Sequence, residues 1–444
     1  MATKVGIVSL GCAKNQVDAE MLLYKIKEAG YELSDDPAMC DVAIVNTCGF
    51  IESAKQESID EILELATLKR EGQIKKIVVT GCLAERYNND IMKEMCEIDA
   101  VVGIGGNENI ADVIAGVMND NKVELFPDKL LMPIEGKRIQ STPSHTAYLK
   151  ISEGCDNRCT YCAIPIIRGG HRSRTMESII DEAKDLASKG VRELNVIAQD
   201  TTRYGLDLYG EYKLAELLNE LCKIDELKWI RVLYCYPDKI TDELIETIKT
   251  QDKICKYMDI PLQHCTKNVL KRMNRSGSKE ELLALMKKLR KEIPDIVIRT
   301  TFIAGFPGET EEDFNELCEF IKEVKFERMG CFPYSIEEGT PAASFPDQLD
   351  EETKNHRAEI VMDQQSYIMD AYLEKQIGKT LEVLCEGYDR YAECYFGRTQ
   401  GDAPEVDTVT FFTTKGDKPV VGEFYNVEIT DFLDSSLVGE IVLD

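Results

Sequence analysis

No apolar run in these 444 residues is long enough to cross a bilayer. Nor does a basic segment followed by an apolar one stand at the start, where Met-Ala-Thr-Lys leads straight into an apolar strand. Neither a membrane span nor an export signal is expected, and the expected location is the cytoplasm. Positive charge is short as well: 53 Lys and Arg face 80 Asp and Glu, a net charge of −27. A general nucleic-acid binder presents a basic face, so this balance weighs against that class. Acidic solubilisation and an interface for a basic partner both stay open. What the chain does have is cysteine, sixteen in all. In a large chain without an export signal these read as reduced thiols, some holding metal, rather than as disulfides.

Strand and helix patterns alternate over residues 1–118. Val5–Leu10, Val42–Asn46 and Ile77–Thr80 are apolar runs. Helical spacing follows each of them, over Asp18–Ala29, around Ile59, Ile62, Leu63 and Ala66, and after Ala84. Such units argue for an open parallel sheet. Residues 119–143, with Pro127, Pro133, Gly136 and Pro143, read as a linker or short hairpin. Six further strands are expected at Ala147–Ile151, Glu193–Ala198, Trp229–Tyr234, Tyr257–Ile260, Ile296–Ala304 and Arg328–Phe332. They alternate with helices at 176–189, 212–223, 241–250, 279–291 and 311–323, which fits a barrel or partial barrel. A helix-rich stretch, 351–377, precedes five short strands at Thr380–Asp389, Tyr391–Thr399, Val409–Thr413, Glu423–Phe432 and Ser436–Leu443. These suggest a small antiparallel barrel or sandwich. The expected class is therefore α/β with three domains, 1–118, 141–373 and 374–444.

The chemistry begins at Gly-Cys-Asp-Asn-Arg-Cys-Thr-Tyr-Cys, residues 154–162, where Cys155, Cys159 and Cys162 follow a strand with Cys-x3-Cys-x2-Cys spacing. Structural zinc closes four positions with paired knuckles or histidines, and neither His145 nor His171 stands at such spacing. Three thiolates on a 4Fe–4S cluster instead leave one iron without a protein ligand. Cys12, Cys48 and Cys82 form a second set. Each follows an apolar strand, has glycine beside it, and lies 36 or 34 residues from the next, about one βαβ unit. Parallel strands end on one sheet edge, where open α/β sheets place ligands, so these thiols can converge on a second cluster. Burial as core cysteines is the competing reading. The other ten cysteines show no such pattern and are assigned to packing.

With these residues the chain resembles the radical S-adenosylmethionine (SAM) superfamily, and over its full length the methylthiotransferases within it. The resemblance implies that SAM occupies the open iron held by Cys155, Cys159 and Cys162. It also implies that the Ile303-Ala-Gly-Phe-Pro-Gly-Glu-Thr loop faces its adenosine. One SAM would supply the methyl group to sulfur at the auxiliary cluster of Cys12, Cys48 and Cys82. A second would supply the radical that activates the substrate carbon. A carboxy-terminal TRAM domain would bind substrate, and a low-potential donor (flavodoxin or ferredoxin type) and a sulfur donor would be partners. Several stretches resemble the branch that modifies an aspartate of small-subunit ribosomal protein S12. They are Ser9-Leu-Gly-Cys-Ala-Lys-Asn-Gln-Val-Asp, Cys48-Gly-Phe-Ile-Glu-Ser, Lys150-Ile-Ser-Glu-Gly-Cys and Gly397-Arg-Thr-Gln-Gly-Asp-Ala-Pro-Glu-Val-Asp. Ala13 stands where that branch usually carries proline, and Gly170 where it commonly carries a basic residue.

Charge speaks to the substrate independently. Residues 378–444 hold 5 Lys and Arg against 14 Asp and Glu. An acidic domain repels RNA and attracts a basic protein, which favours a ribosomal protein over the alternative, a MiaB-type transfer RNA adenosine methylthiotransferase. A redox-sensing binding module and a zinc-ribbon adaptor are the readings from other classes. No catalytic acid, base or radical relay is assigned. Arg172 and Arg174 follow the cluster loop and could meet SAM's carboxylate or the substrate, but are read as solvated. Gln199, Asp200, Gln263 and His264 end barrel strands, where functional residues gather.

Overall fold

The computed structural model describes residues 3–88 and 90–442. Its first part is a six-stranded parallel sheet of β1 (Lys4–Ser9), β2 (Glu32–Ser34), β3 (Val42–Thr47), β4 (Lys76–Gly81), β5 (Ala100–Val102) and β6 (Val123–Leu125). The order is β2-β1-β3-β4-β5-β6. Strand β3, Val-Ala-Ile-Val-Asn-Thr, is buried at every position, because helices cover both faces of such a sheet. Helices α1 (Ala13–Glu28), α2 (Glu52–Arg70) and α3 (Cys82–Arg86) each follow a strand; α1 starts beside Cys12, α3 at Cys82, and α2 four residues after Cys48. The edge strands β2 and β6 carry only three residues each, too few for a period-2 signal to show. β6 lies inside the stretch read as linker, so the sheet runs on to Leu125.

A second parallel sheet contains β7 (Thr146–Lys150), β10 (Glu193–Ile197), β11 (Trp229–Val232), β12 (Ile254–Asp259), β13 (Val297–Ala304) and β14 (Arg328–Pro333). Their order follows the chain without a crossover, which makes an open, partial barrel. A short ribbon, β8 (Ser152–Glu153) with β9 (Arg172–Ser173), brackets the cysteine loop. Alternation divides the strands: Ala147 and Leu149 face the outer helices, while Tyr148 and Lys150 face inward. On the inner face Tyr148, Ile197, Trp229 and Tyr257 pack against Ala13 and Val17 of α1 and against Leu384 and Ala403. All three parts of the chain therefore meet inside the partial barrel.

The last part is a closed barrel of β15 (Thr380–Asp389), β16 (Cys394–Thr399), β17 (Thr410–Thr413), β18 (Phe424–Leu433) and β19 (Ser436–Ile441). Leu443, expected in the last strand, lies outside the described residues. One seam corrects the antiparallel expectation: β17 and β19 pair in parallel and close the barrel. Ion pairs root this domain on the central sheet. Arg398 reaches Glu193 at 2.5 Å, Arg328 reaches Asp402 at 2.5 Å, and Arg299 reaches Asp407 at 2.7 Å. Burial alone would raise the Glu193 pKa, but Arg398 and Arg231 outweigh it and hold the carboxyl down at about 2. Among the described residues, no helix is long and apolar enough to cross a membrane. All sixteen cysteines are free.

Candidate iron–sulfur centres

The strand order of the first sheet reverses at β1 and β3, and a crevice at such a switch point is where open sheets bind ligands. Cys12 and Cys48 stand there, with Cys82 at the end of the neighbouring β4. Gly11 has φ +89°, and a Cβ on it would lie 2.8 Å from the Cys48 sulfur, so only glycine lets these loops meet. A Cβ on Gly49 would approach the Leu83 backbone to 2.8 Å, which ties the Cys48 loop to Cys82. Asn15 holds the same corner, its side-chain amide donating to Leu10, Asn46 and Thr47 carbonyls. Burial pushes the Cys82 thiol up to about 12, opposed by Arg168 and reinforced by the charges of Cys12 and Cys48. The three sulfurs of this set are thus close enough to sense one another.

The first set lies on an irregular loop between β8 and the helix Ile164–Arg168. Gly154 starts it at φ +75°, and a Cβ there would sit 2.1 Å from the Gly170 carbonyl oxygen. Burial raises Cys155 to about 11 and Cys162 to about 12, and both also feel Cys159. Arg275 donates to the Cys159 sulfur at 3.6 Å and lies over the Tyr236 ring.

The two sets touch. Cys82 packs against Ala163, the residue after Cys162, and against Ile167. From the same helix, Arg168 donates to the Cys82 sulfur at 3.3 Å, to Asp18 at 2.9 Å and to Glu153 at 3.0 Å. Lys150 pairs with the same two carboxylates, Asp18 and, at 2.9 Å, Glu153. Both cations are almost wholly buried, and so are both carboxylates. This four-membered ionic cluster joins the first domain to the central one between the two thiol sets.

The donor sets fit iron–sulfur clusters. Each offers three thiols and no histidine, partly buried (Cys12 is exposed), with Arg168 beside the second set and Arg275 beside the first as cations that suit an anionic group. Among the described residues, no three His, Cys, Asp or Glu side chains close on a single point as ligands of one ion. A cluster needs a wider triangle, because each thiolate takes a different iron.

The other expected positions divide. Asp200 is buried and accepts from Asn157 at 2.8 Å and Lys239 at 3.0 Å, so it braces the cysteine loop. Gln199 donates to Glu153 at 2.6 Å. Gln263, at φ +70°, bridges to Phe302 through its backbone. His264 accepts from the Thr266 amide and turns its other nitrogen to Glu309 at 3.4 Å, bracing the Ile303–Thr310 loop. The solvated reading of the two arginines is overturned. Arg174 is 3% exposed and binds the Lys150 carbonyl and Glu182, while Arg172 donates to the Leu130 carbonyl. The Arg174 donors satisfy the buried Lys150 carbonyl and the Glu182 carboxylate, whereas the Arg172 bond to Leu130 lies at the surface. Asn15, Asp18, Lys150 and Glu153 lie in stretches that carry the resemblance, but nothing in the sequence gives them, Arg168 or Arg275 a shared role. A lysine in the otherwise apolar β7 was the one visible signal.

Comparison with known proteins accords with this architecture. Residues 149–321 match the radical SAM superfamily, 377–442 the TRAM domain, and 4–103 the uncharacterized protein family UPF0004. The chain is 50% identical over 442 residues to the ribosomal protein uS12 methylthiotransferase RimO of Clostridioides difficile, covering 99% of each. It is 49% identical to that of Desulforamulus reducens, covering 98% of this chain and 99% of the relative. Among solved structures, the radical SAM methyltransferase TsrM from Kitasatospora setae shares the fold with a TM-score of 0.60 at 14% identity, over 77% of each chain. The cobalamin-dependent enzyme OxsB does so at 0.52 and 13% identity, over 83% of this chain and 56% of that one. The chain belongs to the RimO family of ribosomal protein uS12 methylthiotransferases, within the radical SAM superfamily.

Proposed function

We propose that this enzyme places a methylthio group on the β-carbon of an aspartate in ribosomal protein uS12, using two SAM molecules per turnover. On this reading Cys155, Cys159 and Cys162 hold the cluster that binds SAM, and Cys12, Cys48 and Cys82 hold an auxiliary 4Fe–4S cluster. The meeting of the two thiol sets across Cys82 and Ala163 carries the proposal, since sulfur and radical chemistry then share one space. When bound, these groups supply a carbon-centred radical that removes hydrogen from an unactivated carbon, and the sulfur that replaces it.

The protein's part is to hold and shield. Asp200, Asn157 and Lys239 fix the first loop, and Arg275 offers a hydrogen bond to its central sulfur. Arg168, Lys150, Asp18 and Glu153 fix the second set against it. Packing of α1 and the 401–407 loop on the inner face excludes water around the reacting space. Domain roles follow: the first domain carries the auxiliary centre and runs from residue 1 past 118 to Leu125. Residues 141–373 carry the radical chemistry, and 374–444 meet the substrate. The acidic last domain suits a basic ribosomal protein. A low-potential electron donor and a sulfur donor complete the set of partners.

The test incubates reconstituted enzyme with SAM, sulfide and a low-potential reductant, together with uS12 or unmodified transfer RNA. A mass gain on uS12 at one aspartate is expected. A gain confined to the RNA would overturn the assignment.

A further inference from the structure

Lys14 is a buried cation without a carboxylate. It lies in the first turn of α1, two residues after Cys12, and is 8% exposed. Its ammonium sits 3.3 Å from the centroid of the Tyr234 ring. Among the described residues it makes no ion pair. The Tyr234 hydroxyl and the Cys12 thiol are the ionisable groups beside it, with Arg168 and the buried Asp259 within electrostatic reach. Asp259, on the adjoining wall, is turned to the Tyr234 amide at 3.1 Å and to Arg299 at 3.9 Å. Lys150 and Arg168, equally buried in the same junction, are both neutralised by Asp18 and Glu153. Lys14 alone of the three is left with an aromatic face, and a buried unpaired ammonium is costly to keep.

Its platform is strained as well. Tyr234 is not glycine yet has φ +63°, at the end of a barrel strand. Strain of this kind persists where a site is held in one shape. Lys14 and Tyr234 belong to different domains, and the ammonium stands on the inner face of the partial barrel beside an expected ligand of the auxiliary centre.

We propose that Lys14 binds the carboxylate of the substrate's aspartyl side chain, with Tyr234 as its platform. This rests on the functional reading above. The β-carbon is one bond from that carboxylate carbon, so anchoring the carboxylate beside Cys12 holds the reacting carbon next to the sulfur. Lys14 thereby selects an acidic side chain over an amide.

The test measures binding of uS12 and of uS12 with its target aspartate changed to asparagine, using holoenzyme with both clusters loaded. Wild type should prefer the aspartate form by about ten- to a hundredfold, the range for one charge-assisted hydrogen bond. Lys14→Met should bind both forms alike, at full iron content. Lys14→Arg should keep the preference. Equal preference in wild type and Lys14→Met overturns the inference alone. So does loss of auxiliary iron in both Lys14→Met and Lys14→Arg, which would make Lys14 a support of the cluster. Wild type that binds neither form overturns the functional reading, and this inference with it.

Discussion

The two cysteine sets solve one problem in opposite ways. Cys155, Cys159 and Cys162 lie within eight residues, so a single loop with Gly154 at its root brings them together. Cys12, Cys48 and Cys82 are spread over seventy-one residues, and the parallel sheet assembles them by lining up three strand ends. The first set depends on local backbone geometry. The second depends on correct pairing of β1, β3 and β4, so its centre is only as stable as the domain. Arg168 then couples the two, because it grows from the helix that follows the local set and donates to a sulfur of the distributed one.

The largest effects should separate the sets chemically. Cys159→Ala should abolish 5′-deoxyadenosine formation altogether, whereas Cys48→Ala should leave that release intact and abolish methylthiolation. Chromatography of the nucleoside beside mass spectrometry of uS12 reads both outcomes. Loss of the nucleoside in both variants would erase the distinction.

Arg168→Gln should come next. It strips a buried guanidinium from Asp18, Glu153 and Cys82, and breaking a buried ion pair costs about 3–5 kcal/mol. Denaturant melts of the apo-protein should show that loss, and the double variant Asp18→Asn with Arg168→Gln should recover part of it. A neutral Arg168→Gln would deny the coupling.

Glycine variants sharpen the contrast between loop and sheet. Gly154→Ala should prevent iron uptake by the first set only, since its Cβ would strike the Gly170 carbonyl oxygen. Gly11→Ala should do so for the second only. Electron paramagnetic resonance of each reduced variant shows which signal is lost.

The smallest effect is in the pH dependence of the apo-protein. Cys82 and Cys162 are raised by burial from 9.0 to about 12. Their protonated forms are favoured in the folded state, so their contribution is intact below about pH 9 and is lost as pH rises toward about 12. Circular dichroism melts between these limits should show falling stability, blunted in Cys82→Ser and Cys162→Ser alike.

The contrast also explains what could be read in advance. The Cys-x3-Cys-x2-Cys loop is spelled in one short stretch, and strands such as β3 announce themselves by apolar runs. The strand-end cysteines were legible because their spacing matches the length of a βαβ unit. Three-residue edge strands carry too little pattern, which is why β2 and β6 went unread. The parallel seam between β17 and β19 is a matter of closure, to which local sequence is blind. Asp18, Lys150, Glu153 and Arg168 were hidden for another reason. Each is an ordinary charged residue until the fold buries all four together, and their partners lie up to 150 residues away. Arg174 misled in the same way, looking like a solvent arginine while filling a polar pocket beside β7.

The central claim is that the chain holds two clusters, one on a loop and one on a sheet edge. Iron and sulfide counts on anaerobically reconstituted protein test it most directly. Wild type should carry about eight irons per chain, and the Cys12, Cys48, Cys82 triple alanine variant about four. About four irons in wild type, or about eight in the triple variant, would contradict it.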